Sequence, residues 1–324
     1  MLQVTLETPG RFVAGDVAPP TAMAGEAIVR VRRIGVCGTD LHAFAGRQPF
    51  FSYPRILGHE LGVEVVSVPS HVRGLRPGDH CAVEPYLSCG TCSACLLGRT
   101  NCCESLRVLG VHIDGGMREQ IAVPVERLFR SDKLSLDQLA LVETLGIGYH
   151  AVERSQLKPD ETVLVVGAGP IGLAVTQFAK VAGGRVRVLE TSANRRRFAE
   201  ERFGVTTLER PDEHLANVVF DATGNPAAMA ASLERVAFGG RLVFVGLVLA
   251  KVAIDDPLFH RREITLFASR NSRNAFPTII GQIEAGRIDT SPWITHRLSL
   301  AEVPDRFAGL PAQPGVVKAM IEVG

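Results

Sequence analysis

The rhythm of apolar and polar positions changes once along the chain, near Glu143. Before it lie short β-rich stretches punctuated by turns. Ala27-Ile28-Val29-Arg30-Val31 and Gly62-Val63-Glu64-Val65-Val66 are rich in β-branched residues and predict strands. Pro77-Gly78-Asp79 predicts a turn, after which His80 to Val83 resumes an apolar strand. Beyond Glu143 apolar runs alternate with helical stretches, the pattern of a parallel sheet covered by helices. Thr162 to Val166 predicts a buried strand, Pro170 to Val181 a helix, and Arg185 to Leu189 a second strand. Val218 to Phe220 predicts another, and Arg241 to Val245, following Gly239-Gly240, one more. The alternation lapses after Arg270, and Pro277 to Ala285 predicts a helix outside the sheet. No internal repeat or low-complexity segment is visible. The simplest division is a discontinuous β-rich domain, residues 1–146 and 272–324, around an α/β domain, residues 147–271.

Composition supports two cores: 324 residues, 46% of them apolar and 21% charged. The net charge of +1 excludes a strong nucleic-acid footprint or an anionic membrane surface as partner. The one basic run, Arg195-Arg196-Arg197, reads as the solvated start of a helix. Apolar runs are strand-sized and interrupted, so no membrane helix is expected, and Met1 to Gly10 has no signal-peptide pattern. A cytoplasmic location is the expectation. In such a compartment the seven cysteines point to metal or thiol chemistry and not to disulfides.

Gly167-Ala168-Gly169-Pro170-Ile171-Gly172 fits the dinucleotide fingerprint, in the required place after a strand and opening a helix. Gly167 permits the tight turn, Gly169 the close approach of a pyrophosphate, and Gly172 the packing of helix on strand. Glu190 ends the next strand at the distance expected of a carboxylate that receives the adenosine ribose hydroxyls. It would repel a 2′-phosphate, so NAD is expected over NADP. Thr223 and Val245 end later strands and either line the nicotinamide half or are ordinary strand-to-loop turns.

Cys89, Cys92, Cys95 and Cys103 place four thiolates in one short segment, which saturates a tetrahedral zinc and predicts a structural site. Cys102 reads as a bystander, or as a ligand in place of Cys103, and Cys81 as a buried small hydrophobe. A second group must be assembled from distant segments: Cys37-Gly38-Thr39-Asp40-Leu41-His42, Gly58-His59-Glu60, and Glu143. Each alone is a weak signal.

Taken in order, these segments, the four-cysteine loop and the glycine motif resemble the zinc-containing medium-chain dehydrogenase/reductase family. The resemblance implies a Rossmann doubly wound parallel sheet plus a β-rich GroES-like catalytic domain. Glu143 resembles the acidic residue of the polyol (sorbitol-like) branch, although Thr144 follows it where that branch usually has proline. Phe50 to Pro54, Gly110 to Gly116 and Ser269-Arg270-Asn271 are similar to bacterial sugar-acid dehydrogenases of the L-galactonate 5-dehydrogenase type. The segment between Leu208 and Val218 is shorter than is usual in the family.

The family pattern implies one catalytic zinc on Cys37 and His59, with Glu60 and Glu143 ligating directly or through water. It makes Thr39 the first proton acceptor and His42 the group that passes the proton to solvent. Asp40 would orient a ligand. Arg118, Arg270 and Asn271 are candidates for a sugar acid's carboxylate and hydroxyls, or are structural; Phe50 and Phe51 either wall the pocket or fill a core. The expected reaction is hydride transfer from a secondary alcohol of a sugar acid or polyol to NAD. A threonine or simple alcohol substrate is the alternative, and a non-catalytic nucleotide-binding relative a more distant one. The family implies a homodimer or homotetramer, and Arg241 to Val245 is a candidate for pairing across a two-fold axis.

Overall fold

Thr162–Val166 has four consecutive buried residues and lies inside a six-stranded sheet of parallel neighbours. The order is Thr206–Leu208, Arg185–Leu189, Thr162–Val166, Ala216–Asp221, Val236–Phe244, Thr265–Ala268. The strand order turns back at Thr162–Val166, and ligands bind at such a switch point, beyond the carboxyl ends of the strands. Helix Pro170–Val181 is buried from Gly172 through Ala179, with the polar Thr176 and Gln177 enclosed along with its apolar residues. The structure, a computed structural model, describes residues 1–48 and 51–324. Its residues form two units, Met1–Glu143 with Phe276–Gly324, and Thr144–Ala275.

Two expectations for the six-stranded sheet need correction. The strand expected from Arg241 starts at Val236 and runs through Gly239-Gly240. Val236 pairs with Ala216, and the register then jumps to Arg241 opposite Val218, with Gly239 at φ +70° in the irregularity between them. This strand also cannot pair across a two-fold axis. Both its edges are already bonded, to Ala216–Asp221 and to Thr265–Ala268, and the sheet's edge strands are Thr206–Leu208 and Thr265–Ala268.

Helix Leu136–Ser155, which the apolar rhythm did not reveal, carries His150 at 4% exposure. Burial, with Arg273 and Arg154 adding to it, pushes the imidazole down to about 4. Unfolded, the ring would titrate near 6.5, so between those values the unfolded chain binds the extra proton. Stability is therefore expected to fall as pH drops from about 6.5 towards 4, by up to about 3 kcal/mol from this group. Urea unfolding across that range checks it: His150→Gln should flatten the slope, and an unchanged slope would remove His150 as its source.

In the other unit a seven-stranded sheet runs Ile294–Ser299, Lys318–Glu322, Glu26–Gly35, Glu60–Ser67, His80–Val83, Leu128–Arg130, with Gln120–Pro124 also on Glu26–Gly35. The expected strands and the Pro77-Gly78-Asp79 turn are present, the turn closed by Asp79 N donating to Arg76 O at 3.1 Å. Val29, Val31, Ile34, Leu61, Val63 and Ile321 fill its core. Cys81 is fully buried and its thiol is pushed up to about 12 by burial, so it packs as a small neutral side chain. Helix Phe276–Glu284 buries Phe276, Ile279, Ile280 and Ile283, one face at helical spacing. Among the described residues no helix is long and apolar enough to cross a membrane.

Candidate metal centres and nucleotide site

Strand Glu26–Gly35 delivers the chain to Cys37, which caps helix Gly38–Phe44. Its antiparallel neighbour begins at Glu60, directly opposite Gly35. Two strand ends thus bring Cys37 beside His59 and Glu60, and one donor atom from each lies within 4.8 Å of the others. Gly35 is required here: a Cβ on it would stand 1.9 Å from Glu60 Oε2. The Asp40 carboxylate is fully buried; Oδ2 accepts from Cys37 N at 2.9 Å and Oδ1 stands 3.7 Å from His59 Nδ1. That position suits a group that orients the imidazole.

Glu143 lies outside this set of three. It is nevertheless buried and electrostatically coupled to His59 and Glu60, and the Tyr86 hydroxyl donates to its Oε1. Lys318, 2% exposed, donates from Nζ to Glu60 Oε1. Burial raises the Glu143 carboxyl above its ordinary value, with Glu60 adding to the rise and His59 opposing it. Burial disfavours a charged His59, yet Asp40 and Cys37 outweigh it and hold the imidazole well above its usual range. The buried pocket is therefore rich in anionic groups that favour a nearby cation. A thiolate, an imidazole and a carboxylate suit zinc with a position left open, and His59 Nδ1 and Asp40 Oδ1 are buried without hydrogen-bond partners. The donor set fits the metal.

Thr39 and His42 lie on helix Gly38–Phe44, Thr39 half-buried and His42 exposed. His42 lines a groove with Gly38, Leu41 and Arg47.

The sulfurs of Cys89, Cys92, Cys95 and Cys103 also lie within 4.8 Å of one another. Cys103 Sγ accepts from Cys89 N at 3.2 Å, and Cys89 Sγ from Cys92 N at 3.3 Å. The backbone and hydroxyl of Thr91 lead in pulling the Cys89 thiol down to about 5. Four thiolates in one nest, with N–H groups already aimed at them, fit a closed tetrahedral site. Cys102 is exposed and lies outside the set.

In the parallel-sheet unit a pocket of about 600 Å³ is lined by Gly167, Gly169, Pro170, Glu190 and Thr223, among others. A Cβ on Gly172 would meet Gly167 O at 1.9 Å, whereas one on Gly169 would meet nothing within 4 Å and would fill the cradle itself. These are the two constraints a bound pyrophosphate implies. Glu190 is buried and accepts from Ala168 N and Ser192 N, both at 2.8 Å, so it also ties the glycine turn to the next strand. Ile171 and Val245 are not among the lining residues; Val245 N bonds to Asp221 O at 2.9 Å. Arg195 is more than a solvated helix start: it lines the pocket 4.0 Å from Glu190. Arg196 holds Glu190 O and Thr191 O at 2.9 and 2.7 Å. The short connection after Leu208 supplies Glu209 and Pro211 to the same pocket.

The substrate candidates are less concentrated. Arg118 is half-buried and its Nε donates to Gly115 O at 3.1 Å. Arg270 is exposed, and Asn271 is half-buried at φ +50°. Phe51 packs between the β-sheet core and the four-cysteine lobe, and Phe50 lies outside the described residues. Tyr86 and Lys318 were not legible as site residues. An isolated lysine at the start of an apolar strand, Lys318-Ala319-Met320-Ile321, is the one available signal, since a buried lysine needs a partner.

Comparison with known proteins agrees with this fold. Residues 23–133 match the alcohol dehydrogenase GroES-like domain, and residues 170–285 the zinc-binding dehydrogenase domain. L-galactonate-5-dehydrogenase of Escherichia coli K12 is 41% identical over 295 residues, 87% of each chain. 2-Dehydro-3-deoxy-L-galactonate 5-dehydrogenase of Pseudoalteromonas atlantica is 32% identical over 96% of this chain and 94% of that one. An alcohol dehydrogenase from E. coli CFT073, solved with NADH, superposes with a TM-score of 0.94 at 28% identity, covering 99% of each chain. The seven-stranded sheet is thus that of a GroES-like domain, and the six-stranded one that of a Rossmann-like domain. The chain belongs to the zinc-dependent medium-chain dehydrogenase/reductase family.

Proposed function

We propose that the protein oxidises a secondary hydroxyl of a sugar acid or polyol to a ketone, with NAD as hydride acceptor and two zinc ions per chain. The observation that carries this reading is the set of half-buried Cys37 with buried His59 and Glu60, in a chain 41% identical to L-galactonate-5-dehydrogenase. Cys37 and His59 would hold the catalytic zinc, with Glu60 or Glu143 as the carboxylate, and Cys89, Cys92, Cys95 and Cys103 the structural zinc. Zinc supplies a Lewis acid that makes ionisation of the substrate hydroxyl affordable at neutral pH, and NAD supplies the hydride acceptor.

The chain's own residues do the rest. Thr39 Oγ1 takes the hydroxyl proton as it releases its own towards the exposed His42 imidazole, which passes a proton to water. Gly167, Gly169, Pro170, Ile171 and Gly172 seat the pyrophosphate, with Thr223 and Val245 towards the nicotinamide. The Glu190 carboxylate receives the adenosine ribose hydroxyls and disfavours a 2′-phosphate. Arg118, Arg270 and Asn271 select the carboxylate and hydroxyls of the substrate. Catalytic metal chemistry belongs to the unit Met1–Glu143 with Phe276–Gly324, and the dinucleotide to Thr144–Ala275. A cytoplasmic homodimer or homotetramer is the form proposed, with Thr265–Ala268, one of the two edge strands of the parallel sheet, as the edge available for pairing.

A substrate panel with NAD and NADP tests the reading. L-galactonate, related aldonates and polyols are expected to reduce NAD, with a preference over NADP. NADH formed from threonine or ethanol, with none from the sugar acids, would overturn the substrate class and favour the other branch of the family.

A further inference from the structure

Tyr86 stands between two clusters that are well separated in the chain. Its ring, 5% exposed, packs with Cys95, Cys103, Leu106, Val108 and Val111, the apolar side of the four-cysteine lobe. Its backbone is held there as well: strand Tyr86–Leu87 pairs with Arg107–Val108, with Tyr86 opposite Val108. Leu109 N donates to Pro85 O at 3.0 Å on the same side. The hydroxyl leaves this apolar nest and donates to Glu143 Oε1. Glu143 in turn interacts electrostatically with His59 and Glu60. A buried carboxylate without a donor is costly and free to turn, and the phenol is placed to prevent both.

We propose that Tyr86 is a positioning residue for Glu143, and that the four-cysteine lobe sets its aim. Metal on the four thiolates keeps the loop folded, the loop keeps Tyr86 seated, and Tyr86 keeps the Glu143 carboxylate directed at the Cys37–His59 site. The lobe is then more than a local staple; its order reaches the catalytic ligand set through one hydroxyl. This rests on Cys37 and His59 being metal ligands, as argued above.

Cobalt(II) placed in the Cys37–His59 site, with zinc retained in the lobe, reports its ligand set by visible absorption. Tyr86→Phe keeps the ring and removes the hydroxyl. It should change the d–d envelope and lower metal affinity and kcat/KM by about 10- to 100-fold, with the far-UV spectrum and the lobe metal unchanged. Cys92→Ser, which opens the lobe, should give the same spectral change, and combining it with Tyr86→Phe should add nothing further. Should Cys92→Ser not fold, Val108→Ala takes its place, since it loosens the packing on Tyr86 and leaves every thiol; a smaller change of the same kind is expected. An unaltered cobalt spectrum in Tyr86→Phe overturns the positioning role. A change in Tyr86→Phe, with none in the lobe variant, overturns the coupling to the lobe. Wild-type protein that binds cobalt with no thiolate-to-metal band from Cys37 would overturn the ligand assignment itself, and this inference with it.

Discussion

Cys37→Ser protein is expected to form almost no NADH with any substrate and to hold about one zinc per chain where the wild type holds about two. The thiolate is the softest of the three donors in the set, and a serine hydroxyl is a poor zinc ligand at neutral pH. Losing the Lewis acid removes several kcal/mol of stabilisation of the ionised hydroxyl, so kcat/KM should fall about 10³- to 10⁴-fold or more. The remaining zinc should be the one on Cys89, Cys92, Cys95 and Cys103, whose sulfurs form a set of their own. Far-UV dichroism should be unchanged, because the core of this unit is built from Val29, Ile34, Val63 and their neighbours and not from the site. Metal analysis and NADH absorbance together check it. Full activity in this variant would end the zinc-dehydrogenase reading of Cys37.

Lys318→Met is expected to destabilise the fold by about 3–5 kcal/mol, a large effect for one side chain. Lys318 and Glu60 are both almost completely buried, at 2% and 1% exposure, and the ammonium donates to the carboxylate. Burial alone would drive the lysine towards neutrality, but Glu60, then Cys37, outweigh it and keep the ammonium charged. Methionine fills a similar volume and leaves Glu60 charged and uncompensated. The cost should be smaller in zinc-loaded protein, where a second cation faces the same carboxylate, and largely recovered in the double variant with Glu60→Gln. Urea unfolding of metal-free and zinc-loaded protein measures both. A loss below about 1 kcal/mol in the metal-free single variant would show that the pair is dispensable for stability.

Much of the fold can be read along the chain. Thr162 to Val166 and Pro170 to Val181 match their observed bounds because a buried parallel strand of apolar residues and a proline-opened helix with apolar positions at helical spacing each carry a strong local signal. The strand at Val236 starts before the point the sequence predicts because Gly239-Gly240 reads as a break, whereas the sheet absorbs it as an irregularity. Helix Leu136–Ser155 was missed because Leu139, Ala140, Leu141, Val142 and Leu145 are all buried, which leaves no polar face to mark the period.

The same division holds for the sites. By itself the chain determined the four-cysteine loop, the glycine turn and the segments carrying Cys37, His59 and Glu60, because thiolates in one loop and glycines at a strand–helix junction are constraints between near neighbours. Only the tertiary structure decided that Glu60 joins Cys37 and His59 within 4.8 Å while Glu143 stands outside that set. It also decided that Lys318, 258 residues from Glu60, is its counterion, and that Tyr86, 57 residues from Glu143, is its donor. A buried charge must be compensated and a buried carboxylate must be hydrogen-bonded, but any of many residues can do either. Which one does is set by strand register and by the packing of distant segments, and neither leaves a mark on the local sequence.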